Sequence, residues 1–182
     1  MDTSEIETRL NARQRIAIPD GDRPRAAVLV PLYGPGPDFR LLYTLRTHKV
    51  EHHKGEISFP GGAKDPDDES VRHTALRESM EEIGTSLDNV DLLGLLDDIV
   101  TTSNFVVTAI VGRIRPYPYE FSMHEAEVAQ LLEVPLSHLR EPANQLTGVG
   151  PRGGPAYAFE SSVIWGATAR ITAGFLAILG DG

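Results

Sequence analysis

An α/β protein built on a mixed sheet with helices on both faces is the fold class that this sequence predicts. Three observations predict it. Strand-like and helix-like segments are interleaved along the chain, their spacing does not repeat as regular βαβ units, and no internal repeat or composition shift divides the 182 residues. A chain of this length lies near the soft prior of about 150 residues per domain and hides roughly 70% of its unfolded surface. Residues 1–182 are therefore expected to form one domain that folds without needing a metal or a disulfide.

The elements follow in chain order. Residues 4–14 read as a short amphipathic helix, with Ile6 and Leu10 on one side and Ser4 as its cap; a frayed terminus is the alternative. Arg25 to Tyr33 is apolar and rich in strand formers, and Gly34-Pro35-Gly36-Pro37-Asp38 breaks it. Phe39 to Leu45 is the returning strand of a hairpin. A short extended piece, Glu56 to Phe59, runs into Pro60-Gly61-Gly62. The next segment, Asp68 to Ile83, has helical periodicity, and Gly84 supplies the left-handed cap. Val90 to Leu96, Phe105 to Ile114 and Tyr157 to Glu160 are further strand candidates, and Trp165 to Leu179 is a C-terminal helix.

Composition excludes several function classes. The chain is 41% hydrophobic and 24% charged, ordinary values for a folded protein, so disorder, collagen and coiled coil are excluded. Seventeen Lys and Arg stand against 26 Asp and Glu, a formal charge of −9, which is a poor balance for neutralising the phosphates of a nucleic acid. Apolar runs such as Ala26 to Val30 and Phe175 to Leu179 fall far short of the ~20 residues a membrane helix requires. The first residues are acidic and cysteine is absent, so a cytoplasmic protein is expected.

The end of the 68–83 helix breaks two local rules. At about 100° per residue, Glu81 lies roughly 60° to one side of Glu78 and Glu82 roughly 40° to the other, so the three carboxylates are expected to share a face. Leu76, Met80 and Ile83 are expected opposite, anchoring the helix in a core. A solvated acidic face is the ordinary origin of such a cluster. Here, however, like charges sit three and four residues apart, and they do so in the last turn, where the helix dipole favours cations. A bound divalent cation reverses both penalties. Glutamate oxygens without Cys or His partners favour a hard ion, Mg²⁺ or Mn²⁺, and Mg²⁺ commonly shares its coordination with substrate phosphates. Just upstream, Pro60-Gly61-Gly62 is either a plain tight turn or a place where backbone approaches a ligand closely.

Gly61-Gly62-Ala63-Lys64-Asp65-Pro66-Asp67-Asp68-Glu69, followed by Ala75-Leu76-Arg77-Glu78-Ser79-Met80-Glu81-Glu82-Ile83-Gly84, resembles the Nudix box of nucleoside-diphosphate-linked pyrophosphohydrolases (residues 61–85). The Arg-Glu-x-x-Glu-Glu-x-Gly core is intact. The interval from Gly62 to Arg77 is one residue longer than in the general box, which aligns Glu69 as the first box glutamate only with a slip, and Ser79 and Thr85 replace aliphatic positions. The longer loop and the preceding Leu41-Leu42-Tyr43-Thr44-Leu45-Arg46 and Gly55-Glu56-Ile57-Ser58-Phe59-Pro60 are similar to the coenzyme A pyrophosphatase branch, with Glu51 where that branch usually has arginine. Thr102 to Thr108 and Ile164 to Ala169 extend the similarity.

The resemblance implies an α/β/α sandwich around a mixed sheet and hydrolysis of the diphosphate of coenzyme A, or its thioesters, to 3′,5′-ADP and 4′-phosphopantetheine. It implies Glu78 and Glu82 as the chief ligands of Mg²⁺ or Mn²⁺, Glu81 as an added ligand or water acceptor, and Gly62 as a carbonyl ligand. Arg77 would brace a box glutamate, and Glu127 would help position or deprotonate water. Arg46, Gly61 and Gly62 would face the substrate, with His52, His53 and Lys54 as further cations or simply a polar loop. Two other functions stay open: a Nudix hydrolase for another nucleoside diphosphate compound such as ADP-ribose or NADH, and a non-catalytic nucleotide-binding module.

Other signals are weak. Gly148-Val149-Gly150-Pro151-Arg152-Gly153 matches GxGxxG but precedes a strand rather than opening a helix, so it reads as a turn. His124-Glu125 lacks the second histidine of a zinc motif, and neither a P-loop nor a nucleophile elbow occurs.

Overall fold

Apolar side chains fill almost every position of residues 25–33, and the computed structural model, which describes residues 1–19, 21–47, 55–150 and 153–180, shows why. β1 (Arg25–Tyr33) is an inner strand of a sheet covered on both sides. Val30 and Leu32 enter one core with α1 (Thr3–Asn11) and α4 (Gly166–Leu179), whereas Ala27, Leu29 and Tyr33 enter a second core with α2 (Val71–Ile83). β7 (Val106–Ile114) repeats this alternation, with Val107, Ala109 and Val111 facing the first core and Ile110 and Ile114 the second. Strands buried on both faces read as continuous apolar runs. The arrangement is the expected α/β one, a mixed sheet between helices.

β1 pairs in parallel with β7 and antiparallel with β2 (Arg40–Arg46). β5 (Val90–Leu95) and β6 (Ile99–Val100) both run antiparallel to β7. The feature that creates the site is a split in this sheet. β2 meets β1 only at Leu41 opposite Leu32 and Arg40 opposite Tyr33, then continues between β8 (Val128–Pro135) and β3 (Ile57–Ser58). The rest of the β1 edge is taken by β4 (Gly61–Ala63), with Gly62 opposite Ala27. A second, three-stranded sheet of β9 (Gln145–Val149), β10 (Gly154–Phe159) and β11 (Ser162–Ile164) leads into α4, and α3 (Leu136–Arg140) follows β8.

Several expectations need correction. The N-terminal helix spans Thr3–Asn11 rather than 4–14, and its cap is Asp2, which accepts from the Glu5 N–H at 2.9 Å; Ser4 lies inside the first turn. The chain after it is strapped to the β5–β6 connection: Arg13 bonds Asp97, Arg15 bonds Asp98, and the Ile18 N–H donates to Asp98 at 2.9 Å. α2 starts at Val71, three residues beyond Asp68, because the Ser70 hydroxyl caps it by accepting from the His73 N–H at 3.2 Å. Gly84 closes it as expected, at φ 72°. Of its expected anchors, Ile83 is buried and Leu76 half-buried, but Met80 is 47% exposed. The side that packs on the sheet carries Ala75, Ser79 and Ile83 instead, and Ser79 Oγ pairs with Thr85 Oγ1 at 2.8 Å inside the core. That bond also explains why two hydroxyls stand where aliphatic residues were expected.

Candidate metal and phosphate site

The split in the sheet opens a cavity of about 730 Å³. Arg46, at the end of β2, forms one side, and Gly61, Gly62 and Ala63 of β4 form another. Glu78 and Glu82 of α2 reach into it, and Glu127, just before β8, also lines it. Arg46 does end a strand directed at the box helix, as its position in the sequence suggested.

Two glycines permit this approach. A Cβ on Gly61 would lie 2.3 Å from the Ala27 carbonyl oxygen, so only glycine lets β4 pack on β1 here. A Cβ on Gly62 would lie 2.5 Å from both Cδ and Oε1 of Glu78, so the Glu78 carboxylate rests in the space that a side chain would fill. The Pro60-Gly61-Gly62 segment is thus a strand as well as a turn, and the close approach is to the chain's own acid.

The acids differ sharply in surroundings. The Glu82 side chain is only 4% exposed. Burial pushes its pKa up to about 8, against the pull of Arg46, with Glu78 and Glu127 adding to the rise. Arg46 Nη1 stands 3.5 Å from Glu82 Oε1, while Glu82 Oε2 and Arg46 Nε are both buried without a hydrogen-bond partner among the described residues. Glu78 is also raised, by burial first, and Arg77 Nη1 opposes this from 2.8 Å. Glu81 is placed apart from these two: its carboxylate is 54% exposed, pairs with Arg77 Nη1 at 3.1 Å, and does not line the cavity.

Behind the acids stands a residue that sequence reasoning missed. Asp68 is buried and receives both Nε and Nη2 of Arg77 at 3.0 Å, a bidentate pair, together with the Thr74 hydroxyl and the Asp65 N–H, each at 2.9 Å. The Arg77 hydrogen bond holds the Asp68 carboxyl well below the usual carboxylate range, and Asp68 in turn raises the Arg77 pKa. Glu69, the residue aligned by a slip, is exposed. The one-residue longer loop is absorbed by moving the brace from a glutamate to the shorter aspartate before it; two adjacent acids at 68 and 69 were the signal available. Glu51, His52, His53 and Lys54 lie outside the described residues.

Among the described residues, no three His, Cys, Asp or Glu side chains are grouped closely enough to hold an ion by themselves. The donor set still fits a hard divalent ion. A buried carboxylate oxygen without a partner is costly unless something positive meets it, and Mg²⁺ typically uses one or two carboxylates and completes its shell with water and substrate phosphate. Away from the acids much of the cavity lining is apolar, with Phe59, Phe105, Trp165 and the 149–150 turn among its walls. Part of the glycine-rich 148–153 segment is therefore a wall of the same cavity, although it opens no helix.

The NUDIX domain model matches residues 23–146. The chain is 37% identical over 165 residues to the mitochondrial coenzyme A diphosphatase NUDT8 of Homo sapiens, covering 86% of this chain and 70% of that protein. It is 39% identical over 151 residues to the Nudix hydrolase NudL of Yersinia enterocolitica, covering 80% and 76%. Among solved structures, a MutT/nudix family protein from Enterococcus faecalis shares the fold at a TM-score of 0.55 and 13% identity, over 99% of this chain and 75% of that one. The Nudix hydrolase RenU from M. smegmatis does so at 0.51 and 21%, over 62% and 70%.

Proposed function

The chain belongs to the NUDIX family, and from that premise we propose that it hydrolyses the diphosphate of coenzyme A or its thioesters, giving 3′,5′-ADP and 4′-phosphopantetheine or its acyl form, with Mg²⁺ or Mn²⁺ as cofactor. The observation that carries the reading is the buried, unpartnered Oε2 of Glu82 beside a Glu78 carboxylate seated on Gly62, in a cavity long enough to continue into an apolar region. The names of the NUDT8 relatives supply the substrate class.

In this reading Glu78 and Glu82 hold the ion and Gly62 contributes its carbonyl. A bound divalent ion would neutralise the diphosphate and lower the pKa of an attacking water. Arg77, clamped by Asp68, fixes the direction of the Glu78 carboxylate. Glu81 joins as an added ligand or water acceptor only by swinging away from Arg77. Glu127 lies across the cavity, 3.2 Å from His124 Nδ1, where it orients or deprotonates water. Arg46, held against Glu82 without substrate, has an unpartnered Nε to offer a phosphate oxygen. A cysteine-free chain makes no demand for an oxidising compartment, and the cytoplasm is the location proposed with this activity.

The test is a product-resolved substrate panel at equal metal and pH. Coenzyme A is expected to give a higher kcat/KM than ADP-ribose or NADH, because only it carries a 3′-phosphate and a pantetheine arm for the outer cavity to recognise. A higher value for either rival would reassign the substrate, and no metal-dependent hydrolysis of any of them would sink the reading.

A further inference from the structure

Among the described residues, only two cations line the cavity, Arg46 and Arg170. Arg46 stands with the acids. Arg170 does not: it projects from the second turn of α4, and its Nη1 donates to the Val100 carbonyl of β6 at 3.0 Å. No carboxylate among the described residues lies within ion-pair distance of it, although the protein carries a net charge of −9 and most of its other arginines near acids are paired.

The sheet separates the two ends. Ala63 of β4 is opposite Ala26 of β1, Ala26 is beside Val107 of β7, and Val107 is opposite Ile99 of β6. Three strand spacings, about 14 Å, therefore lie between the strand that carries the Glu78 seat and the strand that anchors Arg170. The two phosphates of a diphosphate are joined through a single oxygen and cannot occupy both ends. A ligand whose diphosphate sits at the acids and that also engages Arg170 must carry a second, separate anionic group.

The surroundings of Arg170 suit such a group. Thr101, Thr102 and Ser103 of the β6–β7 turn line the same rim; Thr101 Oγ1 and Ser103 Oγ bond each other at 3.0 Å, so the donors offered are the Thr102 hydroxyl and the proton that pair leaves over. The turn is held in place: the Asn104 N–H donates to the Thr101 carbonyl at 3.2 Å, Asn104 takes φ 66°, and Arg23 Nε donates to its side chain at 3.0 Å. A cation with free N–H groups beside fixed hydroxyls, with no competing carboxylate, matches a phosphate monoester.

We propose that Arg170, with the hydroxyls of residues 101–103, binds a phosphate monoester on the nucleoside part of the substrate and makes the enzyme selective for nucleotides that carry one. This rests on the proposed function, in which that group is the 3′-phosphate of coenzyme A.

The experiment compares wild type, Arg170→Ala and Arg170→Lys. Kinetics use coenzyme A and 3′-dephospho-coenzyme A. Thermal shifts use adenosine 3′,5′-bisphosphate and AMP, and do not depend on turnover. Arg170 is exposed, so the unliganded Tm should hardly move. Arg170→Ala is expected to lower kcat/KM for coenzyme A by about ten- to a hundredfold, the range of a hydrogen bond to a charged group, and to leave the dephospho compound within about twofold. Arg170→Lys should fall between. The extra thermal shift given by the bisphosphate over AMP should vanish in Arg170→Ala. An equal loss for both substrates places Arg170 on the diphosphate and overturns the proposal, as does no loss for either. A wild type stabilised equally by the bisphosphate and AMP overturns it too. If wild type cleaves neither coenzyme A compound, the functional reading fails, and the two nucleotides still decide the role of Arg170.

Discussion

Replacing Glu82 with glutamine should stabilise the metal-free protein while abolishing most turnover. Burial sets the sign: with a carboxyl pushed from 4.5 up to about 8 in the folded protein, the native state holds a proton that the unfolded chain has already released. Stability therefore falls as the pH rises from 4.5 toward 8 and is level above that. At pH 7.5 the carboxylate costs on the order of 4 kcal/mol relative to a neutral group of the same shape, taking ~1.4 kcal/mol per pH unit. Glutamine recovers this less about 1–3 kcal/mol for an amide that meets Arg46 and finds few acceptors. The net gain, ~1–3 kcal/mol, corresponds to a Tm roughly 3 to 10 °C above wild type for a chain of this size. The assay is thermal melting of both proteins in a chelator from pH 5 to 8.5. The gap should be widest near pH 8 and close or reverse by pH 5. A gap that does not change with pH, or a glutamine variant that melts lower at pH 7.5, would refute the reasoning from burial; near-normal activity in saturating Mg²⁺ would remove Glu82 from the metal site.

Two further outcomes concern the same acids and a third the Asp98 strap. Mn²⁺ should raise the Tm of wild type more than that of the Glu78→Gln, Glu82→Gln double variant, because an ion that binds only the folded state stabilises by mass action; equal shifts would place the ion elsewhere. Gly62→Ala should cut kcat at least tenfold with little change in Tm, since a new Cβ would sit 2.5 Å from a half-buried Glu78 carboxylate and displace it, and unchanged kcat would show that the Glu78 position is immaterial. Burial alone would raise the Asp98 pKa, but bonds from Thr108, Ile18 and Arg15 bring it below the ordinary value of 3.8, so its contribution is present above that pH and lost in acid as the folded-state carboxyl protonates. Asp98→Asn should therefore cost about 3 kcal/mol or more at pH 7 and much less at low pH, as read from urea melts at both.

What the sequence disclosed depended on how local each signal was. β1 and β7 were visible because both their faces are apolar, and α2 because its periodicity ends at a glycine that must be left-handed. β8 was missed: exposed Gln130 and Glu133 interrupt Leu131, Leu132 and Val134, so neither alternation nor a continuous run appears until β2 is there to pair with it. Spacing singled out Glu78, Glu81 and Glu82 together, but not that Glu81 would turn to Arg77 while Glu78 and Glu82 line the cavity. The roles of Asp68 and the exposure of Met80 were not legible, since they depend on where the loop before α2 ends and on which side of the helix the sheet covers. Arg170 carries no sequence signature at all; only the fold of the β6 end against α4 brings it to the cavity.

The split sheet also orders events during synthesis. Arg46, β4 and the acids of α2 have been synthesised by residue 82, but β1 has no parallel neighbour until β7 is complete at Ile114, and pairing over that separation is slow to form. The outer wall comes later still, from the 149–150 turn, Trp165 and the start of α4. The cavity thus has no complete outer wall, and no enclosed place for a nucleotide, until the last helix has been made. A chain halted before residue 166 would lack Ala169, Ile171, Phe175 and Leu179 of the first core as well as the outer wall of the cavity, so premature termination late in the message should cost the fold together with substrate selection.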